Sequence, residues 1–512
     1  MPDFIIRKRS HHFVVRELSD RGKRAVENFA RRFIQWGLVR QGRRSIKAPL
    51  KVFAAATKDR SEYRFHINCY KDFIDSVKLD NVHLDAVPIF DDTPPVGDDV
   101  DMPIYPNWAP RDYQEPIIDY LVAPPPPRAK MLALYTGGGK TFSAMWSVAK
   151  LQSRLVMISK PTYLENWALD AKETYAVPSD EIVIIKGSGP LMRLIALARA
   201  DRESLPKVIL ISNKTIQNWI TAYEKFGPQG SMDIGYDCVP DELFEILGAK
   251  VKVCDELHQD FHLNFKIDLY TNIQTTIGLT ATLISDDPFI TRMHELAYPS
   301  RDRYKSPPYV PHISSIALMY QLKNPSLMRW TSMTGSYSHV IFEQTLGTKR
   351  NEASYWKYLS MIEASVKQYY ETPTRKDGDR CIIFCSTKEM CGEVTKYLRG
   401  KFPQYTIERY VDEDPYDNLM EPDIRVTTLQ SAGTAVDIPQ LTTAILTVAV
   451  NSSVSNIQGF GRLRPLKDGR TPIFVYFVCT DVPKHIEYHE RKKDIIRTRS
   501  VGFMEVNYGS LI

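Results

Sequence analysis

The segment that most restricts the fold is Met131-Leu-Ala-Leu-Tyr-Thr-Gly-Gly-Gly-Lys-Thr141. It is an apolar run that breaks into three glycines, a lysine and a threonine, then continues with amphipathic helical spacing. Three consecutive glycines remove every Cβ from the turn, so backbone N–H groups can face inward on an anion. A helix starting directly afterwards adds its positive end to the same spot. Lys140 would then bring charge to the terminal phosphates of a nucleotide, and Thr141 a hydroxyl to a divalent cation. The full eight-residue form of such a loop wants glycine at position 134, where this chain has leucine; the short form T-G-x-G-K-T is intact. A glycine-rich strand-to-helix turn with no ligand is the plain alternative. A second run, Val251-Lys-Val-Cys-Asp-Glu-Leu-His258, places Asp255 115 residues after Lys140. An apolar strand here would deliver Asp255 and Glu256 to its carboxyl end, where parallel sheets bind ligands. There Asp255 suits a cation, and Glu256 suits orienting or deprotonating an attacking water.

The rest of the chain repeats this strand–loop–helix grammar. Short apolar runs at Met131–Tyr135, Leu155–Ser159, Val208–Ser212, Val251–Cys254 and Thr276–Leu279 are separated by helical stretches. Such alternation implies a parallel sheet covered on both faces. A proline-rich passage, Tyr298–Pro311, interrupts the pattern. It resumes at Ile313–Leu318, Cys381–Cys385, Ile424–Thr428, Ala444–Val448 and Ile473–Val478, with a closing helix over Val482–Thr498. The fold class expected is therefore α/β, with two tandem parallel-sheet domains preceded by a small basic α/β domain. The domains are expected at 1–100, 101–300 and 301–512.

Charge sets the first block apart. Residues 1–60 hold sixteen Lys or Arg against five Asp or Glu, whereas residues 61–110 hold three against ten. A cationic module followed by an acidic, proline-containing connector favours a polyanion partner. In that block Phe4–Arg9, His12–Leu18, Leu50–Ala56 and Tyr63–Asn68 read as strands and Asp72–Val77 as a short helix. Asp20 would cap a helix running through Trp36, on whose apolar face lie Ala25, Val26, Phe29, Phe33 and Trp36.

With 43% hydrophobic and 25% charged residues the composition is that of a globular protein. No run of about 18 apolar residues occurs, so no membrane span is expected. The N-terminal MPDFIIRKRSHHF lacks the apolar core of a secretory signal. Seven cysteines are few and odd in number, which points to a reducing compartment and a cytoplasmic location, the host cytoplasm if the chain is viral. Cys381, Cys385 and Cys391 form no C-x₂-C pair and are expected to be buried structural residues.

T-G-G-G-K-T together with D-E-L-H resembles motifs I and II of the superfamily 2 DExH helicases and translocases, and further motifs follow in order over about 110–480. Arg111-Asp-Tyr-Gln114 resembles the adenine-reading Q motif. Ser159-Lys-Pro-Thr162, with Asn166-Trp167 behind it, resembles motif Ia, which grips nucleic-acid backbone, and Ser212-Asn-Lys-Thr215 is placed like a further backbone-contacting loop. Gly278-Leu-Thr-Ala-Thr282 resembles motif III, Ile382–Thr387 motif IV, Thr427–Pro439 motif V and Gln458-Gly-Phe-Gly-Arg-Leu-Arg464 motif VI. The resemblance implies two RecA-like domains with ATP bound between them and Mg²⁺ as cofactor. It assigns catalysis to Lys140, Asp255, Glu256, Gln458, Arg462 and Arg464. It assigns ATP binding to Arg111, Gln114, Thr136, Gly137, Gly138, Gly139, Lys140, Thr141 and Asp437, with Thr141 and Asp255 holding the metal. Coupling of hydrolysis to movement falls to His258, Thr280 and Thr282. Nucleic-acid contacts fall to Pro161, Thr162, Ser212, Lys214, Thr387 and Thr428.

Three positions depart from the family's pattern. Motif V usually has glycine two residues before its aspartate, and here that residue is Ala435. In motif VI the arginines usually stand four and seven residues after the glutamine, on one helix face. Arg462 keeps the first spacing; Arg464 comes one residue early and directly before Pro465, where helical geometry is disfavoured. Arg462 is therefore the expected arginine finger. Pro116 lies close behind the Q motif and fits a helix that begins near Asp112, whose spacing to Glu115 suits a capping box.

Size and motif style resemble the UvsW-like phage and large-virus DNA helicases. The resemblance implies an ATP-dependent DNA helicase or translocase that tracks a single strand and acts on branched or forked DNA in recombination, repair or replication. Replication or recombination proteins, and RNA in place of DNA, are further candidate partners. Three alternatives stay open: a double-strand translocase that displaces proteins or transcripts, the motor subunit of a nuclease or restriction complex, and a non-motor ATP-switched clamp.

Overall fold

The computed structural model describes residues 2–508 apart from 42–43, 93, 124–127, 135–137, 281–286, 305–308, 333–334, 412–413, 430, 432–437 and 452–459. The chain divides into two compact units, Met1–Ser306 and Pro307–Ile512. The fold class is the expected one: two parallel α/β sheets, and a small mixed sheet at the N-terminus.

The N-terminal strands are β1 (Ile5–Lys8), β2 (His12–Arg16), β3 (Ile34–Gln41), β4 (Arg44–Val52), β5 (Ala55–Ala56), β6 (Glu62–His66) and β7 (Ile89–Asp91). Five of them form a sheet in the order β5–β6–β2–β1–β7, and β3 and β4 pair with each other as a separate ribbon. The helices Asp20–Ala30 and Tyr70–Leu79 bring Phe29 and Phe73 onto Phe13 and Phe65, with ring centroids 5.0–5.8 Å apart. The first helix differs from the expectation at both ends. Ser19, rather than Asp20, is the cap, its side chain accepting from the Gly22 N–H. The helix stops at Ala30, because Ile34-Gln-Trp-Gly-Leu-Val39 joins the ribbon: β-branched residues around a glycine favour strand over helix. Trp36 is consequently on a strand and 48% exposed, not on a buried helix face.

In the same unit lie β8 (Arg128–Ala133), β9 (Leu155–Ser159), β10 (Ile182–Ile185), β11 (Val208–Ser212), β12 (Val251–Cys254) and β13 (Thr275–Thr280). They form a parallel sheet in the order β10–β11–β9–β12–β13–β8. Alternate side chains go to opposite faces, as a strand requires. Leu155, Met157, Leu210 and Val253 pack under the helices of one face. Val156, Ile158, Ile209 and Cys254 join a core that runs without a break into Phe13, Phe29 and Phe65 of the N-terminal sheet. Arg64 fastens the two together. It is 1% exposed, donates to both oxygens of Asp241 at 2.5 and 2.7 Å and to Glu62 at 2.5 Å, and lies 4.1 Å over the Tyr270 ring. Removing one member of such a buried cluster costs about 3–5 kcal/mol.

The second unit holds β14 (Ile313–Tyr320), β15 (Arg380–Cys385), β16 (Ile407–Tyr410), β17 (Ile424–Thr428), β18 (Leu441–Leu446), β19 (Ile473–Cys479) and β20 (Ser500–Asn507). The order is β16–β17–β15–β18–β19–β14–β20, again parallel. After the helix Pro483–Arg499 the chain adds β20 as an edge strand, which the sequence reading did not anticipate. All seven cysteines are buried and free. Among the described residues no helix is long and apolar enough to cross a membrane.

Candidate active site

The glycine loop after β8 meets its helix, Lys140–Lys150, at Gly139, which sits in the left-handed region at φ +74°. A Cβ built there would also lie 2.2 Å from the Gln114 side-chain nitrogen, so both backbone and packing require glycine. Gln114 is buried against this turn, and its Oε1 accepts the Arg111 N–H at 2.9 Å. The Q-motif residues therefore pack directly on the glycine loop. Their helix, Glu115–Val122, has Pro116 in its first turn, where the missing N–H costs least. It starts after Gln114, not near Asp112. Gly138 is buried, Thr141 is half-buried in the first helical turn, and Lys140 Nζ donates to the Leu134 carbonyl at 3.1 Å. Thr136 and Gly137 lie outside the described residues.

Motif II follows β12, and motif III ends β13, the strand between β12 and β8. The carboxyl ends of three adjacent strands thus carry Lys140, Thr280 and the Asp255–His258 turn side by side. Asp255 is held from two directions: Trp167 Nε1 donates to Oδ2 at 2.9 Å, and the Glu256 N–H donates to Oδ1 at 2.8 Å. Burial raises the Asp255 carboxyl above its ordinary range, against the Trp167 hydrogen bond, the Lys140 charge and the Glu256 N–H. Glu256 is buried and has φ +47°, a left-handed conformation that is strained for a residue with a Cβ. His258 Nδ1 stands 2.9 Å from Thr280 Oγ1 and 3.3 Å from Glu256 Oε2. Burial, then Lys140, Lys160 and His294, push His258 down to about 4, so the ring is neutral at pH 7. The Leu257 N–H donates to the Leu279 carbonyl at 3.1 Å, and a Cβ at Gly278 would sit 2.3 Å from Leu257. A side chain at Gly278 would therefore have to displace the end of Leu257, whose turn lies beside its strand.

Of the coupling residues, His258 and Thr280 meet; Thr282 lies outside the described residues. Motif Ia reaches the same cluster through Lys160, which donates to Gln259 Oε1 at 3.1 Å and stands 3.6 Å from Asp260. Asn213, beside Ser212, donates to Asp260 at 3.1 Å. Thr162 and Lys214 are exposed, Pro161 is half-buried and Ser212 is buried. Sequence reasoning placed Trp167 behind motif Ia but not against Asp255, and it missed Gln259. No spacing marks these contacts; they become visible only when β9 and β12 lie next to each other.

In the second unit the expected residues are engaged with their own chain. The Thr387 hydroxyl donates to Glu343 at 3.0 Å and caps the helix Lys388–Lys401 by accepting from the Met390 N–H at 3.1 Å. Glu343 also accepts the Ser386 and Thr387 N–H groups, each at 2.8 Å, and burial lifts it to about 7. The Thr428 hydroxyl donates to Ser431 Oγ at 2.8 Å and accepts the Ser431 N–H at 3.0 Å. Arg462 is buried, and Arg464 donates to the Gly461 carbonyl at 2.8 Å. Gln458 and Asp437 lie outside the described residues.

No family model and no curated protein matches the chain. Solved structures to which it is similar include the Hef helicase domain of Pyrococcus furiosus, at 17% identity and TM-score 0.41 over 75% of this chain and 98% of that one. S. cerevisiae Dbp5 bound to RNA and ADP BeF3 is similar at 12% identity and TM-score 0.47, over 78% and 90%. A putative HsdR subunit fragment of a type I restriction enzyme from Vibrio vulnificus is similar at 17% identity and TM-score 0.47, over 78% and 68%.

Proposed function

We propose that the chain is an ATP-driven nucleic-acid motor, a helicase or translocase of the superfamily 2 kind acting on branched or forked DNA. The observation that carries this reading is the convergence at the carboxyl ends of β8, β13 and β12. There the P-loop helix starts beside both carboxylates, the Glu256 N–H donates to Asp255, His258 meets the Thr280 hydroxyl, and Glu256 is held in a strained conformation. The glycine turn and helix N-terminus receive phosphates, Lys140 leaves the Leu134 carbonyl for the terminal phosphate, and Glu256 orients the attacking water. Thr141 and Asp255 are hard oxygen donors of the kind Mg²⁺ takes, and the ion bound there would neutralise phosphate charge. The His258–Thr280 contact gives the water-orienting acid a route to motif III, because Glu256 and Thr280 face the same imidazole nitrogen. Arg462, in the second unit, is proposed as the arginine finger. The preference for branched DNA rests on the sequence resemblance.

The test is ATP turnover with and without nucleic acid, combined with strand displacement on forked, four-way and blunt DNA and on matched RNA. The expected result is hydrolysis stimulated by nucleic acid, with displacement on forked or four-way DNA. Hydrolysis indifferent to every nucleic acid would contradict the motor reading.

A further inference from the structure

The ribbon β3–β4 belongs to neither sheet of the first unit, and its apolar side chains face solvent. Leu38 is 77% and Leu50 53% exposed, and Trp36 and Ile46 are exposed with them. Across residues 34–52 the sequence holds five Lys or Arg and no Asp or Glu. The neighbouring sheet is different. Arg7 and Arg9 pair with Asp92, Lys8 with Asp91, Arg16 with Glu62, Arg21 with Asp3, and Arg60 with Glu27. The positive charge on and around the sheet is thus neutralised at these six positions, although Arg24, Arg31 and Lys58 stay exposed without an ion pair among the described residues. On the ribbon Lys47 and Lys51 are exposed and enter no ion pair among the described residues. Register places Leu38 opposite Lys47 and Trp36 opposite Pro49, so the ammonium and the indole share a face, with Lys47 Nζ 5.9 Å over the Trp36 ring. A bare two-stranded ribbon showing this much apolar surface gains little stability alone. An ordinary edge is blunted by charge against pairing, yet here charge and an aromatic are presented together.

The root of the ribbon is fixed. The Gln35 amide donates to Asp287, His262 Nε2 donates to the Val52 carbonyl at 2.8 Å, and Arg292 donates to the Arg32 carbonyl at 2.7 Å. Phe53, fully buried, packs on His262 at 4.8 Å and Phe265 at 5.1 Å. His262 lies on the helix Phe261–Asp268 that leaves motif II, and Asp287 caps the helix Pro288–Ala297 that follows motif III. The ribbon is therefore a stiffly mounted arm, not a loose loop.

We propose that the β3–β4 ribbon is a duplex-DNA-binding arm, with its lysines on the phosphates and Trp36 and Leu38 in the groove. This rests on the nucleic-acid-motor reading above. Charge complementarity selects a polyanion over a protein partner, since no carboxylate on the ribbon would meet a mixed protein surface. Shape selects DNA: two strands about 4.8 Å apart plus side chains fit a major groove about 12 Å wide. The A-form RNA major groove is too deep and narrow to admit them.

Two variants test it, Lys47→Glu/Lys51→Glu and Trp36→Ala, with thermal unfolding as the check that each folds. Binding to a blunt DNA duplex and to single-stranded DNA of equal length is measured across a salt series. The charge reversal should lower duplex affinity by tenfold or more and flatten the log-affinity against log-salt slope by about 2. Trp36→Ala should weaken duplex binding roughly five- to tenfold, about 1 kcal/mol, with the slope unchanged. Single-strand affinity should move little in either. Unchanged duplex affinity and slope in the charge reversal would overturn the proposal, as would equal losses on single strands or equal ribbon-dependent binding of duplex RNA. A wild-type dimer that both variants convert to monomer, with DNA binding intact, would show the ribbon to be a self-association surface instead. Wild-type protein that binds duplex through the ribbon but hydrolyses no ATP would contradict only the motor reading.

Discussion

The two units place their threonines differently. In the first, the Thr280 hydroxyl reaches out of its strand to His258, a residue of another motif, 2.9 Å away. In the second, the hydroxyls of Thr387 and Thr428 turn back on their own loops, one capping a helix over a buried Glu343, the other closing a turn on Ser431. A hydroxyl at the end of a parallel strand is therefore ambiguous by itself. What separates chemistry from architecture is whether its partner belongs to a different motif. By that criterion the first unit's strand ends bring residues of two motifs together. In the second unit Thr387, Thr428 and Arg464 are occupied with structure.

That contrast can be broken in four ways. The largest effect is expected at Arg462. Arg462→Ala should lower ATP turnover about 10³-fold with nucleotide binding nearly intact, the scale of a lost arginine finger, whereas Arg464→Ala should be milder. A larger defect at Arg464, measured as steady-state turnover, would mean that the early arginine reaches the phosphate.

Next comes pH, where the units have opposite signs. Burial holds His258 at about 4 against an ordinary 6.5. Its contribution to stability is therefore present above pH 6.5 and is lost as pH falls through 4. Burial holds Glu343 at about 7 against an ordinary 4.5, so its contribution is complete below pH 4.5 and is lost as pH rises through 7. Relative to wild type, the unfolding free energy of Glu343→Gln should rise with pH between those limits, and that of His258→Gln should fall. The span is up to about 3 kcal/mol, at about 1.4 kcal/mol for each unit of pKa. Denaturant unfolding across the pH range checks both slopes; slopes of one sign would erase the contrast.

Smaller effects fall on the hydroxyls. Thr280→Val should keep ATP hydrolysis within about tenfold, the cost of one hydrogen bond, but lose most strand displacement. Equal losses of both activities would make Thr280 part of hydrolysis itself. Thr387→Ala should destabilise the chain by about 1 kcal/mol through the lost cap and leave nucleic-acid affinity unchanged. Weaker nucleic-acid binding at unchanged stability would restore Thr387 as a contact.

Much of the first unit's site was legible because strand-end motifs carry their own geometry. An apolar run followed by T-G-G-G-K-T or D-E-L-H fixes the carboxyl end, and parallel pairing does the rest. Sequence could not show Trp167 holding Asp255, since the partners are 88 residues apart and meet only through strand order. Nor could it show the left-handed Glu256, because a glutamate in that conformation gives no compositional sign. The helix expected through Trp36 failed for a related reason. Phe29, Phe33 and Trp36 fit a helical stripe, but the alternation of Ile34–Val39 and the register with Arg44–Val52 prevailed once a partner strand lay in reach. The charge count did not show which cations are available: Arg7, Lys8, Arg9 and Arg16 are paired internally, whereas Lys47 and Lys51 of the ribbon, like Arg24, Arg31 and Lys58, are exposed and enter no ion pair among the described residues.

ATP hydrolysis is proposed for the Asp255–Glu256 turn beside Lys140. Glu256→Gln tests it most directly, because the substitution removes the charge that orients water and leaves Asp255, Lys140 and the glycine turn in place. Nucleotide affinity and single-turnover hydrolysis should be measured on the same preparation. ATP binding should stay close to wild type, with hydrolysis largely lost. Hydrolysis at the wild-type rate would contradict it.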